Sequence, residues 1–574
     1  MCGFLAIVET QASGGQSGGQ SGGQAAAIGV RAGAEGLHDL LAHRGPDQRG
    51  VWSGEHAWLG HRRLAIMSPE DGRQPVDDGR LIGRRVWVSN SELYNADELI
   101  GQLGIEPACQ ADSKAIGPMI ERFGVDAFDQ FDGQFAIVCV DPLSGHWIAG
   151  RDHMGICPMY IGWHSSGTIW FASEMKALVG ECDRIEIVEP GSAWVRDERG
   201  VRCERWYQPA WADAVPEWKS DPAVVRSLLI GAVEKRIRSD ARWGVLLSGG
   251  LDSSLVASIA ARLHRQQTGE AIHTFSIGLD DSPDLVKARQ VARHIGSIHH
   301  EFRFTVGEAM DAIEDVVEHL ESDQQIRTGV PTYLLGKCVS ELGFKMVLSG
   351  EGADELFGGY LYFHKAPSPE AFHAETVRKM QRLHQFDVMR ANKAPMAFGV
   401  ELRFPMLDRQ FVDRCMSIDP RDRMISKSGR WAGVEKAILR EAFAGGDWIP
   451  EAILYRQKEQ FSDGVGYGWV DALRDHSEAL VSDAQLEASA QRFGGFAAPN
   501  KEMYWMRLLF EQRFVEGKLA GRSAIETLGD GRSVACCTPE AIAWDPAWAA
   551  MAGDISGRGV LDVHQDNAQR EAAG

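Results

Sequence analysis

The chain has 574 residues, more than one hydrophobic core usually organises, so we expect at least two domains. Apolar residues make up 44% and charged residues 24%, a balance that builds ordinary cores and excludes a wholly disordered chain. The formal net charge of −20 argues against nucleic acid or an anionic membrane as the principal partner. No stretch approaches the roughly 18–20 apolar residues that span a bilayer, and the N-terminus lacks the features of a signal peptide. Together with ten sparse cysteines that form no CxxC pattern, this predicts a cytoplasmic protein with reduced thiols.

The first 205 residues have the pattern of short packed strands separated by turns. A strand is predicted over 4–8 and the end of a helix over 37–41. Between them, residues 10–36 contain SGGQ three times in succession, a composition typical of a flexible insertion. Helical periodicity appears at 113–123. Further strands are predicted at 86–89, 135–140, 147–149, 159–163, 169–172 and 192–196.

Residues 206–220, rich in Trp, Pro, Ala and Asp, are predicted to be a linker, after which strands and helices alternate. Such alternation predicts a parallel α/β sheet with helices on both faces, and the segments beyond 365 are mostly helical. The predicted strands are 243–247, 274–277, 300–304 and 345–348, and the predicted helices are 223–237, 284–295, 306–320 and 333–342.

Cys2 is the first candidate for chemistry. Removal of the initiator methionine before so small a residue would leave a free α-amine beside the thiol. An amine that titrates near ~8 can serve as the thiol's own general base. A lone cysteine near a terminus is more simply a chance residue, so the motifs that accompany it decide the interpretation.

Several short motifs follow Cys2 in order: AHRGPD at 42–47, GHRRLAI at 60–66, QP at 74–75, NSELYN at 90–95 and RDHMG at 151–155. This ordered set resembles the class II glutamine amidotransferase domain, and the resemblance covers residues 2 to about 205. It implies an Ntn-hydrolase αββα sandwich in which the cysteine attacks the side-chain amide of glutamine and releases ammonia.

The resemblance also implies the roles of individual residues. Cys2 would be the nucleophile and Asn90 a donor to the oxyanion. Arg63 would hold the glutamine carboxylate, for which a guanidinium fork is well suited, and Glu92 and Asp112 would hold the amino end. The remaining residues that the resemblance places around glutamine are Leu64, Ala65, Ile66, Met67, Asn90 and Ser91.

Ser91 departs from the family pattern, which is Asn-Gly-Glu where this chain has Asn-Ser-Glu. The glycine N–H of that pattern is the second oxyanion donor. Serine keeps an N–H, but it restricts φ and brings a Cβ to a place where the substrate approaches closely. We therefore expect glutaminase activity that is lower than the family pattern would give.

Residues 246–254 (LLSGGLDSS) combine an apolar strand, a Ser/Gly loop and the start of a helix. Amide groups at such a helix N-terminus bind pyrophosphate, and the aspartate can hold Mg²⁺. SGGxDS resembles the loop of ATP pyrophosphatases, which cleave ATP to AMP and pyrophosphate, and it is no Walker A loop, because no Gly-Lys-Ser/Thr follows. SGEGADE at 349–355 follows the strand that ends at 348, where α/β sheets bind ligands.

With the strings GGYLYFHKAP at 358–367 and RQKEQFSDG at 456–464, the whole chain resembles the glutamine-dependent asparagine synthetase family in its bacterial form. The resemblance implies an adenine nucleotide α-hydrolase-like parallel sheet with helical additions. It implies that Glu351 is needed for formation of the β-aspartyl-AMP intermediate from aspartate and ATP, and that Lys458 stabilises the adenylation transition state. Asp252 and Asp354 would hold Mg²⁺, with Asp284 in support. The implied ATP-binding residues are Leu246, Ser248, Gly249, Gly250, Asp252, Ser253, Ile277, Ser349 and Gly350.

The acceptor loop is a second departure. The family carries an Asp-Val-Thr-Thr-Ile-Arg-like stretch before a proline, whereas residues 322–331 read SDQQIRTGVP and are about two residues shorter upstream. Arg327 is retained and is expected to bind an aspartate carboxylate. Because glutamines replace the neighbouring hydroxyls, a different acceptor stays open.

We therefore predict a two-domain amide ligase that uses glutamine, aspartate and ATP with Mg²⁺. The predicted parts are a glutamine amidotransferase domain (1–205), a linker (206–220), a synthetase domain (221–530) and a C-terminal extension (531–574). Two alternatives remain: the same chemistry on another carboxylate, or an ammonia-only or glutamine-sensing homologue. A homodimer is left open.

Overall fold

The computed structural model describes residues 1–10, 33–79, 83–107, 109–516, 541 and 543–545. The predicted flexible insertion at 10–36 is therefore described only at its two ends, and most of the predicted extension at 531–574 lies outside the described residues. Among the described residues, no helix is both long enough and apolar enough to cross a membrane.

The N-terminal part is built from antiparallel strands. Within the described residues these are β1 (Gly3–Glu9), β2 (Gln48–Ser53), β3 (Ala57–Arg63), β4 (Val76–Asp77), β5 (Val86–Leu93), β6 (Gly133–Val140), β7 (Trp147–Arg151), β8 (Tyr160–Trp163), β9 (Thr168–Ala172), β10 (Arg184–Ile187), β11 (Ser192–Asp197) and β12 (Gly200–Arg205). They form two sheets, in the orders β10-β8-β9-β1-β3-β2 and β12-β11-β7-β6-β5-β4.

Burial along the strands shows that the two sheets are stacked and covered. Every residue of β6 is buried, as expected of a strand with both faces covered, whereas β2 alternates between half-buried and exposed residues at a sheet edge. β1 and β3 face β5 across the core. A helix that includes residues 33–39 covers the first sheet, where His38 packs edge-on against Trp58. The helices Ala96–Leu103 and Ile116–Phe123 cover the second sheet, which completes the predicted αββα sandwich.

The C-terminal part is organised by a parallel sheet. Its strands are β13 (Trp243–Leu246), β14 (His273–Gly278), β15 (Ile298–Arg303), β16 (Met346–Leu348) and β17 (Glu401–Arg403), in the order β15-β14-β13-β16-β17. The longer helices around it are Pro222–Arg236, Leu251–Thr268, Pro283–Ile295, Ile313–Leu320, Ile326–Glu341, Pro369–Arg382, Asp387–Met396, Arg409–Met416, Tyr467–Leu480 and Lys501–Phe514. The shorter ones include Ala353–Phe357, Ala437–Phe443 and Phe461–Gly464. The predicted fold class, a sandwich followed by a parallel α/β sheet with helical additions, is confirmed.

The prediction of a helix at 333–342 is wrong at its start, because it places the first residue too late in the chain. The helix begins at Ile326 and continues through Pro331, a residue that normally marks a helix boundary. The carbonyl that loses its helical donor at this proline is that of Arg327, and it accepts a hydrogen bond from Trp469 Nε1 at 2.8 Å. The tryptophan therefore replaces the missing backbone bond, and the acceptor loop becomes the first turn of a helix.

Two further differences concern the same domain. The helix predicted at 306–320 is divided into Val306–Asp311 and Ile313–Leu320. The sheet has a fifth strand, β17, which the sequence did not predict because a buried run of three residues carries too little periodicity. This short strand brings two charged residues to the boundary between the domains.

The two parts of the chain meet through buried polar contacts. Lys393 Nζ lies 2.6 Å from Glu321 Oε2, and it donates a hydrogen bond of 2.7 Å to Tyr160 in the N-terminal part. Glu321 in turn accepts hydrogen bonds from the backbone N–H groups of Met175 and Lys176, at 2.8 and 2.6 Å. Lys393 and Glu321 are both fully buried, so this contact depends on close fit of the two domains.

Candidate active sites

Cys2 is buried immediately before β1 and is bound to Asn90 of β5. The Cys2 backbone N–H donates to Asn90 Oδ1 at 2.7 Å, and its Sγ lies 3.9 Å from the carbonyl oxygen of Leu64. Asn90 Nδ2 is buried and has no hydrogen-bond partner in the described part of the chain. An amide N–H held beside the thiol in this way is the kind of donor that a tetrahedral oxyanion requires.

The protonation of this site depends on its burial. Burial raises the pKa of the Cys2 thiol, so the thiolate needs a base to form. Met1 precedes Cys2, and its amine is paired with Glu401 of β17. Burial lowers the pKa of the Met1 amine to about 6. The predicted free amine of Cys2 is a peptide N–H in this chain and requires removal of Met1.

The segment 64–67 lies against Cys2 and is held by polar contacts on both sides. The Leu64 carbonyl faces Cys2, and the Ala65 N–H donates to Asp47 Oδ2 at 2.7 Å. The Ile66 carbonyl accepts from the Asp240 N–H at 3.2 Å.

Arg63 holds the end of this same segment. Its Nη1 donates to Gln48 Oε1 and to the Pro69 carbonyl, both at 2.9 Å, and its Nη2 donates to the carbonyls of Met67 and Ser68 at 2.8 and 2.7 Å. The guanidinium that the sequence assigned to the glutamine carboxylate is thus already bound by the protein. Glutamine would have to replace some of these carbonyl contacts.

Ser91 lies in the regular strand β5, and its backbone is not in the left-handed region. The expected restriction of φ is therefore not a source of strain here. Its hydroxyl lies 2.9 Å from that of Ser89 and donates to Asp112 Oδ2 at 3.4 Å. Asp112 also accepts from the Leu93 N–H at 3.0 Å. The departure from glycine therefore adds a hydroxyl next to a predicted glutamine ligand.

Glu92 is the other predicted carboxylate of the glutamine site. Its Oε2 lies 2.7 Å from Nη2 of Arg403, which belongs to β17 of the C-terminal part. Burial raises the pKa of Glu92 to about 7, although the charge of Arg403 opposes this shift. A predicted ligand of glutamine is therefore paired with a side chain from the other domain.

The second site is a cavity of about 290 Å³ at the carboxyl ends of the parallel strands. It brings together loops that are far apart in the sequence. The residues with predicted roles that line it are Leu246, Ser248, Gly250, Asp252, Ser253, Ile277, Asp284, Arg327, Ser349, Gly350, Glu351, Asp354 and Lys458.

The loop before the helix Leu251–Thr268 has the geometry expected for binding phosphate. The hydroxyls of Ser248 and Ser253 are 3.0 Å apart, and the Ser248 hydroxyl accepts from the Gly250 N–H at 3.4 Å. Gly249 lies in this loop with a φ of +76°, in the left-handed region, and packs against the helix Pro283–Ile295. A Cβ there would lie 2.4 Å from the backbone nitrogen of Ala288, so only glycine fits.

Two lysines neutralise the acidic residues of the cavity. Lys436 Nζ lies 2.5 Å from Asp252 Oδ2 and 2.6 Å from Asp354 Oδ1, and Lys458 Nζ lies 2.8 Å from Asp354 Oδ2. Burial opposes ionisation of Asp354, but the two ammonium groups hold its pKa below its ordinary value. Burial raises the pKa of Asp252, and Lys436 offsets this only in part.

These carboxylates fit a magnesium ion that arrives with nucleotide. Asp252 Oδ1 is buried and has no hydrogen-bond partner within the described residues. Mg²⁺ commonly takes one or two carboxylates together with substrate phosphates. Among the described residues, no group of three or more His, Cys, Asp or Glu side chains is arranged to hold a metal alone. Asp284, expected to support the metal or the pyrophosphate, lines the cavity and is paired with Arg456 at 2.6 Å.

Glu351 is held by an arginine that the sequence motifs did not identify. Arg390 Nη2 donates to Glu351 Oε1 at 2.8 Å and to Asp387 Oδ1 at 3.1 Å, and its Nη1 donates to Thr332 at 3.2 Å. Burial raises the pKa of Glu351, and Arg390 opposes this shift. The pairing therefore opposes protonation of this carboxyl group at the cavity wall.

Arg327 lies in the cavity, where it forms a two-pronged ion pair with Glu502. Its Nε donates to Glu502 Oε1 at 2.7 Å and its Nη2 donates to Oε2 at 2.6 Å. Both side chains line the cavity. The pair therefore presents a cation and an anion side by side, which matches the two charges of an α-amino acid.

The residues that sequence reasoning missed are Lys436, Arg390, Asp387, Glu502 and Arg403. They lie outside the recognised motifs. One signal was present in the helix Asp387–Met396, where Arg390, Asn392 and Lys393 are all buried. Charged residues on a helix face that packs into a core usually have a partner, and this could have marked the segment. Lys436 and Glu502 had no comparable signal.

Comparison with known proteins identifies both domains of the chain. The Glutamine amidotransferase domain model matches residues 1–191, and the Asparagine synthase model matches residues 224–370 and 365–497. A glutamine-hydrolyzing asparagine synthetase of Asparagus officinalis is 44% identical over 541 residues, which cover 92% of this chain and 89% of the relative.

Two more curated relatives have similar coverage. Asparagine synthetase 3 of Arabidopsis thaliana is 46% identical over 541 residues, with 92% and 91% coverage of this chain and the relative. Asparagine synthetase 2 of Oryza sativa subsp. japonica is 43% identical over 554 residues, with 94% and 91% coverage. Among solved structures, the allosteric regulatory enzyme of purine biosynthesis is 19% identical, with a TM-score of 0.29, and the match covers 53% of this chain and 80% of that chain.

The fold and the two sites define an amidotransferase, in which a glutamine amidotransferase domain is joined to an ATP-binding synthase domain. Identity above 40% over most of both chains makes the assignment more specific. The chain belongs to the glutamine-hydrolysing asparagine synthetase family.

Proposed function

We propose that this protein converts L-aspartate, L-glutamine, ATP and water into L-asparagine, L-glutamate, AMP and pyrophosphate. The observation that carries the proposal is the cavity at the ends of the parallel strands. There the loop 248–253, the loop 349–355 and Lys458 meet, with carboxylates and ammonium groups close enough to exchange partners. The full-length relatives named as glutamine-hydrolyzing asparagine synthetases support the choice of reaction.

The first half-reaction uses Cys2. We propose that its thiolate attacks the amide carbon of glutamine and that Asn90 Nδ2, buried beside it, donates to the oxyanion. Ammonia leaves, and water hydrolyses the thioester to glutamate. The α-amine that Met1 removal would create on Cys2 is the proposed base. Arg63, Glu92 and Asp112 are the proposed ligands of the glutamine carboxylate and ammonium.

The second half-reaction uses the cavity. An oxygen of the aspartate β-carboxylate attacks the α-phosphorus of ATP, pyrophosphate leaves, and ammonia then displaces AMP from the acyl-adenylate. Lys458 offsets the negative charge that grows at the α-phosphate, and Glu351, held by Arg390, orients the reacting groups. Mg²⁺, held by Asp252 and Asp354, would supply further charge neutralisation for the phosphates.

The acceptor is proposed to be aspartate, bound by the Arg327–Glu502 pair. Arg327 would take the α-carboxylate and Glu502 the α-ammonium, so that insertion of a zwitterion replaces one ion pair by two. The β-carboxylate then points away from this pair towards ATP. A different acceptor is the second candidate, favoured by the short loop before the helix that begins at Ile326.

Narrower proposals rest on the sequence. They are a domain division at 1–205, 206–220, 221–530 and 531–574, a cytoplasmic location, internal transfer of ammonia between the sites, and no nucleic-acid or membrane partner. The relatives reported above are plant proteins and do not support the narrower prediction of a bacterial form. A homodimer is a further proposal, to be tested by the mass of the protein in solution.

The test is product analysis with aspartate and ATP, supplied with either glutamine or ammonium. With either nitrogen donor, we expect asparagine, AMP and pyrophosphate to be formed in a 1:1:1 ratio, about one of each per turnover. Another amide product would identify a different acceptor. Asparagine from ammonium alone would indicate an ammonia-only homologue, and no product from either donor would overturn the proposal.

A further inference from the structure

Arg403 crosses the boundary between the two domains. It is the last residue of β17 in the parallel sheet, and its side chain is fully buried. Its Nη2 lies 2.7 Å from Oε2 of Glu92 on β5 of the sandwich. Glu92 is a proposed ligand of the glutamine ammonium, so the second domain contributes a charge to the first site.

The arginine is fixed by other contacts. Its Nε donates to Glu401 Oε1 at 2.7 Å, and its Nη1 donates to the carbonyls of Arg236 and Arg238 at 3.1 and 2.6 Å. A planar guanidinium held through three contacts on two of its nitrogens has little freedom to turn. The position of its remaining contact, Glu92, is therefore defined by the synthetase domain.

Glu92 needs such a partner because of its surroundings. Burial favours the neutral acid and raises its pKa to about 7. The other charged groups that face it are Asp112 and Asp240, which favour protonation, and the N-terminal amine, which with Arg403 opposes it. A neutral Glu92 would no longer attract an ammonium group.

We propose that Arg403 is a positioning residue of the glutamine site, which keeps Glu92 ionised and oriented for the α-ammonium of the substrate. This inference rests on the proposed function, because it assumes that glutamine binds at Glu92. It means that the glutaminase site is complete only when the synthetase domain is docked against it.

The backbone of Arg403 has a separate role. Its carbonyl accepts a hydrogen bond of 3.0 Å from the N–H of Ser349, at the start of the loop 349–355 that lines the nucleotide cavity. A side-chain substitution leaves this bond in place. Reactions that use only the cavity are therefore expected to survive when the guanidinium is removed.

The experiment uses the full chain with Arg403→Met and Arg403→Lys, and measures KM and kcat for glutamine across pH. An opposite charge within hydrogen-bond distance typically shifts a carboxyl pKa by about 1–3 units. In Arg403→Met, the acid limb of kcat/KM for glutamine should move up by about one unit or more, and KM at neutral pH should rise roughly tenfold or more. Arg403→Lys, which keeps the charge, should restore part of the loss. Synthesis from ammonium should change less than twofold.

Two controls separate positioning from folding. Arg236→Lys alters another buried arginine, paired with Asp408 at 2.8 Å, and should leave the glutamine KM and its pH profile unchanged. In a Glu92→Gln background, Arg403→Met should have no further effect on KM, since the arginine acts through that carboxylate.

An unchanged pH profile in both Arg403 variants would overturn the inference, and so would an equal loss of ammonium-supported synthesis. If Arg403→Met does not fold, Arg403→Gln, which is polar but uncharged, is measured in its place. Failure of the wild-type protein to make asparagine would instead overturn the proposed function, so the two failures are distinguishable.

Discussion

The two sites of this molecule hold their charges in different ways. In the glutamine site, Arg63 is bound by three backbone carbonyls and Gln48, and Glu92 is bound by an arginine from the other domain. In the cavity, Lys436 and Lys458 bridge acidic side chains around a volume of about 290 Å³. The first site therefore combines backbone carbonyls with a charged side chain from the other domain. The second is made of ion pairs between side chains.

This difference matches what each site must do. A glutaminase binds one small substrate and benefits from ligands that are already in place, because preorganised groups need no rearrangement during reaction. A site for ATP must accept a polyanion and its metal ion, so its ammonium groups have to leave carboxylates for phosphates. Side-chain ion pairs allow such an exchange at both lysines, whereas at Arg63 glutamine would replace only some of the backbone carbonyls that hold the guanidinium.

The largest expected effect separates the two sites completely. Cys2→Ala should lower glutamine-supported synthesis by roughly 10³-fold or more, since the nucleophile is lost. Synthesis from ammonium should be unchanged, because the cavity lies in the other domain. Both rates are measured as asparagine formed under saturating substrates. Loss of both activities in a folded variant would contradict the division of labour.

A second test breaks the contact between the two regions. Lys393→Met leaves Glu321 buried without its ammonium partner, and truncating one member of a buried pair typically costs about 3–5 kcal/mol. The free energy of unfolding should fall by that amount in denaturant titrations. The control is Lys345→Met, which removes a half-exposed pair with Asp47 across the same boundary and should cost about 1 kcal/mol or less. Equal losses would show that burial does not decide the strength of these contacts.

A third test concerns the cavity alone. Lys458→Ala and Glu351→Ala should each lower synthesis from both nitrogen donors by roughly 10²–10³-fold, because each removes charge or orientation at the α-phosphate. Glutamine hydrolysis should survive. Pyrophosphate exchange with aspartate isolates adenylation from ammonia transfer. Exchange at the wild-type rate in either variant would assign that residue to the ammonia step or to the fold.

The features of this molecule that could be predicted from the sequence are those that short local motifs determine. The loop 248–253 and the loop 349–355 were predicted from local sequence, because each motif carries its own backbone geometry and needs only one strand and one helix around it. The division into a strand-rich part and a parallel α/β part followed from the change in pattern near residue 220, whereas the αββα sandwich was implied by the family resemblance. These features depend on neighbours along the chain.

The unpredicted part depends on contacts between distant segments. Arg403 and Glu92 are separated by more than half the chain, and no local pattern connects them. Glu502 reaches Arg327 from a helix near the end of the described residues. The helix start at Ile326 was missed because a proline usually ends helices, and only the tertiary contact from Trp469 explains why it does not.

A fourth prediction tests the proposed acceptor site. Glu502→Gln should raise the KM for aspartate about 10- to 100-fold, because a charged hydrogen bond to the α-ammonium is lost. The KM for ATP should be unchanged. The control is Glu511→Gln on the same helix, whose carboxylate pairs with Arg507 and does not line the cavity. An unchanged aspartate KM in Glu502→Gln would exclude this carboxylate as a ligand.

The smallest expected effect concerns Ser91, where the family pattern has glycine. Ser91→Gly should raise kcat/KM for glutamine a few-fold, well below the roughly 10²-fold value of a whole oxyanion donor, because the backbone N–H is present in both residues. Synthesis from ammonium should not change.

The comparison with Ser91→Ala identifies which part of the serine matters. Its hydroxyl donates to Asp112 Oδ2, an oxygen proposed to hold the glutamine ammonium, so removing the hydroxyl should lower the KM for glutamine in both variants. Its Cβ is expected from the family pattern to crowd the approaching substrate, and only glycine removes it, so a rise in kcat should appear in Ser91→Gly alone. Glutamate release measured over a range of glutamine concentrations gives both constants. If neither variant differs from the wild-type protein, the strand backbone accommodates serine without cost, and the weaker glutaminase expected from the sequence is wrong.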